Sequence, residues 1–140
     1  MGKEDYEIWL ERANGNLKLA KEGKVEGVFL EDLCFEAQQA AEKALKALLI
    51  YLSDEYPKVH AFSVLLDDLE KHIEIPDSIK EVLDLSDYAV QTRYPGDYYP
   101  VGENEYSRAI TIAEEVINWV KERIEQRKRE MDQGTQEPGV

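Results

Sequence analysis

Apolar residues recur along this chain at helical spacing, in five runs separated by polar or glycine- and proline-bearing breaks. In the first run Tyr6, Trp9, Leu10, Ala13, Leu17 and Ala20 share one stripe and predict a helix over residues 4–22. Gly15 falls inside it at a cost of about 1 kcal/mol relative to alanine, and Gly23 and Gly27 bracket the connection that follows. The second helix is expected over 30–52, with Leu30, Leu33, Cys34, Ala37, Ala41, Ala44, Leu48 and Tyr51 on one side. Phe35, Leu45 and Leu49 carry apolar character onto its other faces, which suits the centre of a bundle. Gln38, Gln39, Glu42 and Lys43 interrupt that run. They are either ordinary outer-face residues or polar groups turned to an interior or an interface, where each must find a partner.

A third, shorter helix is expected over 61–72, with Phe62, Leu65, Leu66 and Leu69 inward, His60 at its entrance and His72 near its end. Ser78 followed by Glu81 reads as a capping box opening a fourth helix over 78–91, with Ile79, Val82, Leu83, Ser86, Ala89 and Val90 on its stripe. Pro95 stops it, because the residue before proline avoids helical geometry. Asn104 is the expected N-cap of a fifth helix over 105–128, carrying Tyr106, Ala109, Ile110, Ala113, Val116, Ile117, Val120 and Ile124. From Met131 the chain is expected to be a disordered tail, which leaves one domain over 1–130. No strand pattern and no repeat competes with this, so the fold class is all-α, an antiparallel up-and-down bundle of four to five helices.

Composition narrows the function. The chain has 140 residues, 43% of them hydrophobic and 34% charged, enough for one core with a solvated surface. No apolar run approaches the roughly 20 residues that span a bilayer, and the charged N-terminal pattern does not read as a signal peptide, so a cytoplasmic location without membrane association is expected. The single cysteine, Cys34, suits a reducing compartment and lies where a small core residue is needed. His60 and His72 have no Cys or His partner at ligand spacing, so neither a metal site nor a cofactor is expected. Seventeen Lys and Arg against 30 Asp and Glu give a net charge of −13. A chain of that sign repels polyanions on average, so RNA contact would be local and transient.

The stretch Thr92-Arg93-Tyr94-Pro95-Gly96-Asp97-Tyr98-Tyr99-Pro100 stands outside the helical pattern. Arg93 at a helix end is favourable for dipole reasons alone, or its guanidinium grips a phosphate bidentately. Tyr94, Tyr98 and Tyr99, with Tyr88 before and Tyr106 after, gather more than half of the chain's 8 tyrosines in or beside this loop. They either plug the bundle end with their hydroxyls in water or form a stacking platform beside an anion clamp.

Three segments carry a resemblance. The run Cys34-Phe35-Glu36-Ala37-Gln38-Gln39-Ala40-Ala41-Glu42-Lys43-Ala44-Leu45-Lys46-Ala47-Leu48-Leu49, then His60 with Leu65-Leu66, then Arg93-Tyr94-Pro95-Gly96-Asp97-Tyr98-Tyr99, resembles the HEPN domain family over nearly the whole chain. The resemblance implies a helical bundle that pairs as a homodimer. Many members are metal-independent ribonucleases, with an arginine followed after four to six residues by a histidine. Two copies of that motif meet in one cleft. Small prokaryotic members are often toxins encoded beside a minimal nucleotidyltransferase antitoxin, and in some pairs that partner adds AMP to a tyrosine ending the motif.

Carried onto this sequence, Arg93 matches the motif arginine and Tyr99 the modifiable phenol. Tyr94 stands where a small polar residue is usual, and Tyr98 and Tyr99 stand where the spacing would give histidine; no histidine follows Arg93. Cleavage through a 2′-hydroxyl needs a proton acceptor and charge stabilisation, and a phenol with a pKa near 10 is a poor base at neutral pH. His60 would have to lie near Arg93 to replace the missing base. Three readings therefore stand open. One is a dimeric ribonuclease toxin using Arg93 and Tyr99. The second is a catalytically inactive module whose tyrosine loop holds a nucleotide or the nucleotidyltransferase. The third is a helical adaptor that only dimerises.

Overall fold

The computed structural model describes residues 4–23, 25–58, 61–88 and 101–136. Helix α1 (Asp5–Ala20) runs up, α2 (Leu30–Ser53) runs down, and the short α3 (Phe62–Glu70) turns the chain at the lower end. A return segment made of α4 (Asp77–Lys80) and a 3-10 helix (Glu81–Tyr88) runs up again, and α5 (Glu103–Gln136) runs down. Side-chain pairs fix these directions. Asn16 meets Glu36 and Tyr6 meets Tyr51, so α1 and α2 are antiparallel. Lys21 meets Glu114 and Lys128 lies over the Tyr6 ring, so α1 and α5 are antiparallel too. The described residues contain no strand, and the architecture is the expected all-α up-and-down bundle.

The core sits around α2, which packs most extensively against α1 and α5. Alanines 37, 40, 41, 44 and 47 are fully buried, and their small side chains let both neighbours come close. Leu45, Leu48, Phe62, Leu65, Leu69, Val116 and Val120 fill the space between them. The connection from α1 to α2 turns on Gly23 and Gly27, whose φ angles of 78° and 84° lie in the left-handed region that favours glycine.

The return segment departs from expectation. The predicted helix over 78–91 is α-helical only through Lys80 and then tightens to a 3-10 helix ending at Tyr88. Its buried residues are Ile79, Val82 and Leu85, while Leu83 and Ser86 are exposed. That is a spacing of three, the 3-10 period in which every third side chain eclipses. Asp84 and Ser86 are residue types that compete with the α-helical backbone for hydrogen bonds, which eases the change. The Ser78–Glu81 capping box does not form. The helix opens on Pro76, whose carbonyl accepts from the Ile79 N–H at 3.0 Å.

Helix α5 also differs at both ends. Gly102, not Asn104, takes the N-cap position, its carbonyl accepting from the Tyr106 N–H at 3.0 Å. Glu103 and Glu105 in the first turn complement the helix dipole. At the other end the helix continues past Lys128 and through the first residues of the expected tail, to Gln136. Residues 121–133 are almost all strong helix formers, and Gln126 donates to Glu130 one turn on, at 3.2 Å.

Candidate functional site

Arg93, Tyr94, Tyr98, Tyr99 and His60 lie outside the described residues. The structure does describe where that loop leaves and returns. Tyr88, the last residue of the 3-10 helix, donates its hydroxyl to Glu105 at 3.3 Å. Val101, the first described residue after the loop, donates its backbone N–H to Glu31 at 3.2 Å. Both anchors are at the upper end of the bundle, where α2 and α5 begin. Tyr88 and Val101, the described residues on either side of 89–100, are therefore at the same end of the bundle, each bonded to a carboxylate from the first turn of a core helix.

The flanking tyrosines divide by role. Tyr106 is buried, and its hydroxyl donates to the Ala20 carbonyl, fastening the start of α5 to the end of α1. Burial is the main reason its pKa is raised. Tyr106 is therefore a packing residue. Tyr88 is half-buried and engaged with Glu105.

Cys34 sits beneath the same end, fully buried. Burial, with Glu105 and Glu31 adding to it, pushes its thiol up to about 12. The thiolate is the reactive form, so at neutral pH this cysteine is an inert core residue, as the sequence predicts. Among the described residues no group of three or more His, Cys, Asp or Glu side chains could hold a metal ion, and no helix is long and apolar enough to cross a membrane.

The α2 motif segment resolves into a polar ladder that is buried except at half-buried Gln39. Gln39 donates to Gln38 at 2.8 Å, Gln38 donates to Glu42 at 3.1 Å, and Lys46 donates to the other oxygen of Glu42 at 2.9 Å. Gln38, Glu42 and Lys46 are 0%, 2% and 3% exposed. Lys46 ends the ladder against two aromatic faces, its Nζ 5.5 Å from the ring centroids of both Trp9 and Tyr56. Those rings meet edge to face at 5.3 Å. The interior alternative for Gln38 and Glu42 is thus the correct one. Lys43 instead lies at the α1–α2 seam, donating to Asn16 at 2.8 Å, and Asn16 in turn donates to Glu36 at 2.6 Å. Sequence reasoning missed Lys46. The available signal was a lysine one helical turn after a glutamate, inside an unbroken run of alanine and leucine.

What this arrangement can do is hold shape. The ladder, buried from Gln38 through Lys46 and half-buried at Gln39, orients α2 against α1 and against the turn after α2. An all-α up-and-down bundle with a glutamine–glutamate ladder on its central helix defines a class of small helical domains. Within that class the match is specific: the HEPN domain family model covers residues 6–124, and the chain belongs to the HEPN family. Two solved structures are similar to it. One is TT1696 from Thermus thermophilus, at 31% identity and a TM-score of 0.72, covering 86% of this chain and 98% of that one. The other is ST0689, an archaeal HEPN homologue, at 32% identity and a TM-score of 0.69, covering 87% and 99%. No curated protein matches the chain.

Proposed function

We infer that this HEPN protein is an endoribonuclease toxin of a toxin–antitoxin pair, acting as a homodimer without a metal cofactor. Arg93 is its phosphate clamp and Tyr99 its working phenol. A minimal nucleotidyltransferase is its antitoxin partner, silencing it by adding AMP to Tyr99. The observation that carries this reading is the double anchorage of the loop at Tyr88–Glu105 and Val101–Glu31. A segment fixed at both ends by the core helices is suited to presenting a guanidinium and a phenol in a repeatable geometry, and a positioned catalytic group needs that.

In this reading the RNA 2′-hydroxyl gives up its proton to water as its oxygen attacks the adjacent phosphorus, a 2′,3′-cyclic phosphate forms, and the bond to the 5′ oxygen breaks as that oxygen takes a proton. Arg93 offsets the charge that builds on the phosphoryl oxygens. A phenol that is protonated at neutral pH is better suited to give the leaving oxygen its proton than to take one from the 2′-hydroxyl.

The absence of any histidine after Arg93, together with the net charge of −13, favours a second reading. The chain is then an inactive module whose tyrosine loop binds a nucleotide or the nucleotidyltransferase. Incubating purified protein with RNA in the presence of EDTA separates the two. The toxin reading expects cleavage that Arg93→Ala lowers by about 100-fold or more, and an AMP mass gain that Tyr99→Phe removes. Intact RNA, with nucleotidyltransferase binding retained, selects the second reading.

A further inference from the structure

Among the described residues eight large apolar side chains lie exposed, and four of them fall between positions 19 and 29: Leu19, Val25, Val28 and Phe29. Scattered exposed apolar residues need no explanation, but a contiguous group of them does. Leu19, Val25, Val28 and Leu33 form the floor of an open groove of about 370 Å³ between the end of α1 and the start of α2. Its rim is made by Glu22, Asp32 and Glu36, and no cation is among the described lining residues. Asp32 also faces the α2 dipole, which accounts for that one acid. Glu22 and Glu36 have no such reason. Glu36 accepts from the neutral Asn16 amide, which leaves its charge in place.

A turn shapes part of this patch: Val28 donates its N–H to the Val25 carbonyl at 3.0 Å, with Gly27 inside that turn in the left-handed region. A rim of one charge sign selects a partner of the other sign and rejects polyanions such as RNA.

We propose that this groove docks a basic amphipathic segment of a partner protein. Its apolar side chains seat on Leu19, Val25, Val28 and Leu33, and its flanking lysines or arginines face Glu22, Asp32 and Glu36. The proposal is independent of the nuclease reading, and its test uses no RNA.

The probe is a labelled amphipathic helical peptide with leucines on one face and lysines on the other, compared with its glutamate counterpart by fluorescence anisotropy. The lysine peptide is expected to bind at least about tenfold more tightly than the glutamate peptide, with the difference shrinking as salt screens the rim. Val28→Asp separates seating from simple charge attraction. The substitution adds a negative charge to an exposed position, so diffuse attraction to an acidic protein would strengthen. Seating on the floor would instead weaken by about tenfold or more, and that is the expected result. Glu22→Gln is expected to reduce the salt dependence without abolishing binding. Equal binding of the two peptides, or unchanged or tighter binding to Val28→Asp, overturns the proposal. So does sedimentation showing a dimer that Val28→Asp dissociates, because the occupant would then be a second copy of this chain.

Discussion

Two lysine–glutamate pairs in this bundle have nearly the same length and opposite settings. Lys46–Glu42 spans 2.9 Å with both side chains buried, while Lys21–Glu114 spans 2.7 Å with side chains 49% and 39% exposed. In water the second pair competes with solvent and with the entropy of two long side chains, so it adds little. The first pair has surrendered its hydration. Its members hold each other, Gln38 and two aromatic faces in place, and removing one strands the rest. Distance alone therefore says little about what a pair does; burial decides.

The largest expected effect follows from breaking the buried ladder from one side. Glu42→Ala should cost about 3–5 kcal/mol in urea unfolding, since it leaves the Lys46 ammonium buried beside Trp9 and Tyr56 without its carboxylate. Replacing both members, Glu42→Leu with Lys46→Met, should cost clearly less than either single alanine change, because no buried charge remains. A double variant as unstable as the sum of the singles would mean that the two side chains are not coupled, against this account.

Next comes Tyr106→Phe, which removes the hydroxyl bonded to the Ala20 carbonyl. It should cost about 1–3 kcal/mol, because that carbonyl is left without its partner. Smallest is Lys21→Ala, at no more than about 1 kcal/mol and vanishing in high salt.

Cys34 adds a pH test with a definite sign. Its folded pKa is raised from 9.0 to about 12 by burial. The contribution of the protonated thiol is complete below about pH 9 and is lost as pH rises toward 12. Unfolding followed from pH 8 upward should show a decline that is shallower in Cys34→Ala, whatever that variant's stability at pH 8.

How much of this was legible in the sequence depended on periodicity. The first three helices, with a 3.6-residue stripe, were predicted with nearly correct limits, and Phe62, Leu65, Leu66 and Leu69 are buried as that stripe requires. The return segment misled because Ile79, Val82, Leu85 and Tyr88 repeat every third residue. A template of 3.6 picked out Leu83 and Ser86, which face outward. The N-cap of α5 was misplaced because Asn104 has the better capping side chain, whereas the backbone geometry begins the helix at Glu103.

On α2, residue types flagged Gln38 and Glu42 but could not choose their face, since alanine and leucine surround the helix. The aromatic faces that receive Lys46 come from positions 9 and 56, distant in sequence, and no local pattern joins them. Of the candidate site, the sequence named Arg93 and Tyr99, which lie outside the described residues; the structure adds the hydrogen bonds of Tyr88 and Val101, which flank their segment.

The α2 motif segment is sealed into the core, and the proposed chemistry is assigned to Arg93 and Tyr99, outside the described residues. The division of labour between them is tested most directly by measuring RNA cleavage and urea unfolding side by side on Arg93→Ala. The predicted result is lost cleavage with an unfolding midpoint unchanged from the parent protein. Cleavage at the parent rate in a folded Arg93→Ala protein would contradict the assignment of the chemistry to this loop.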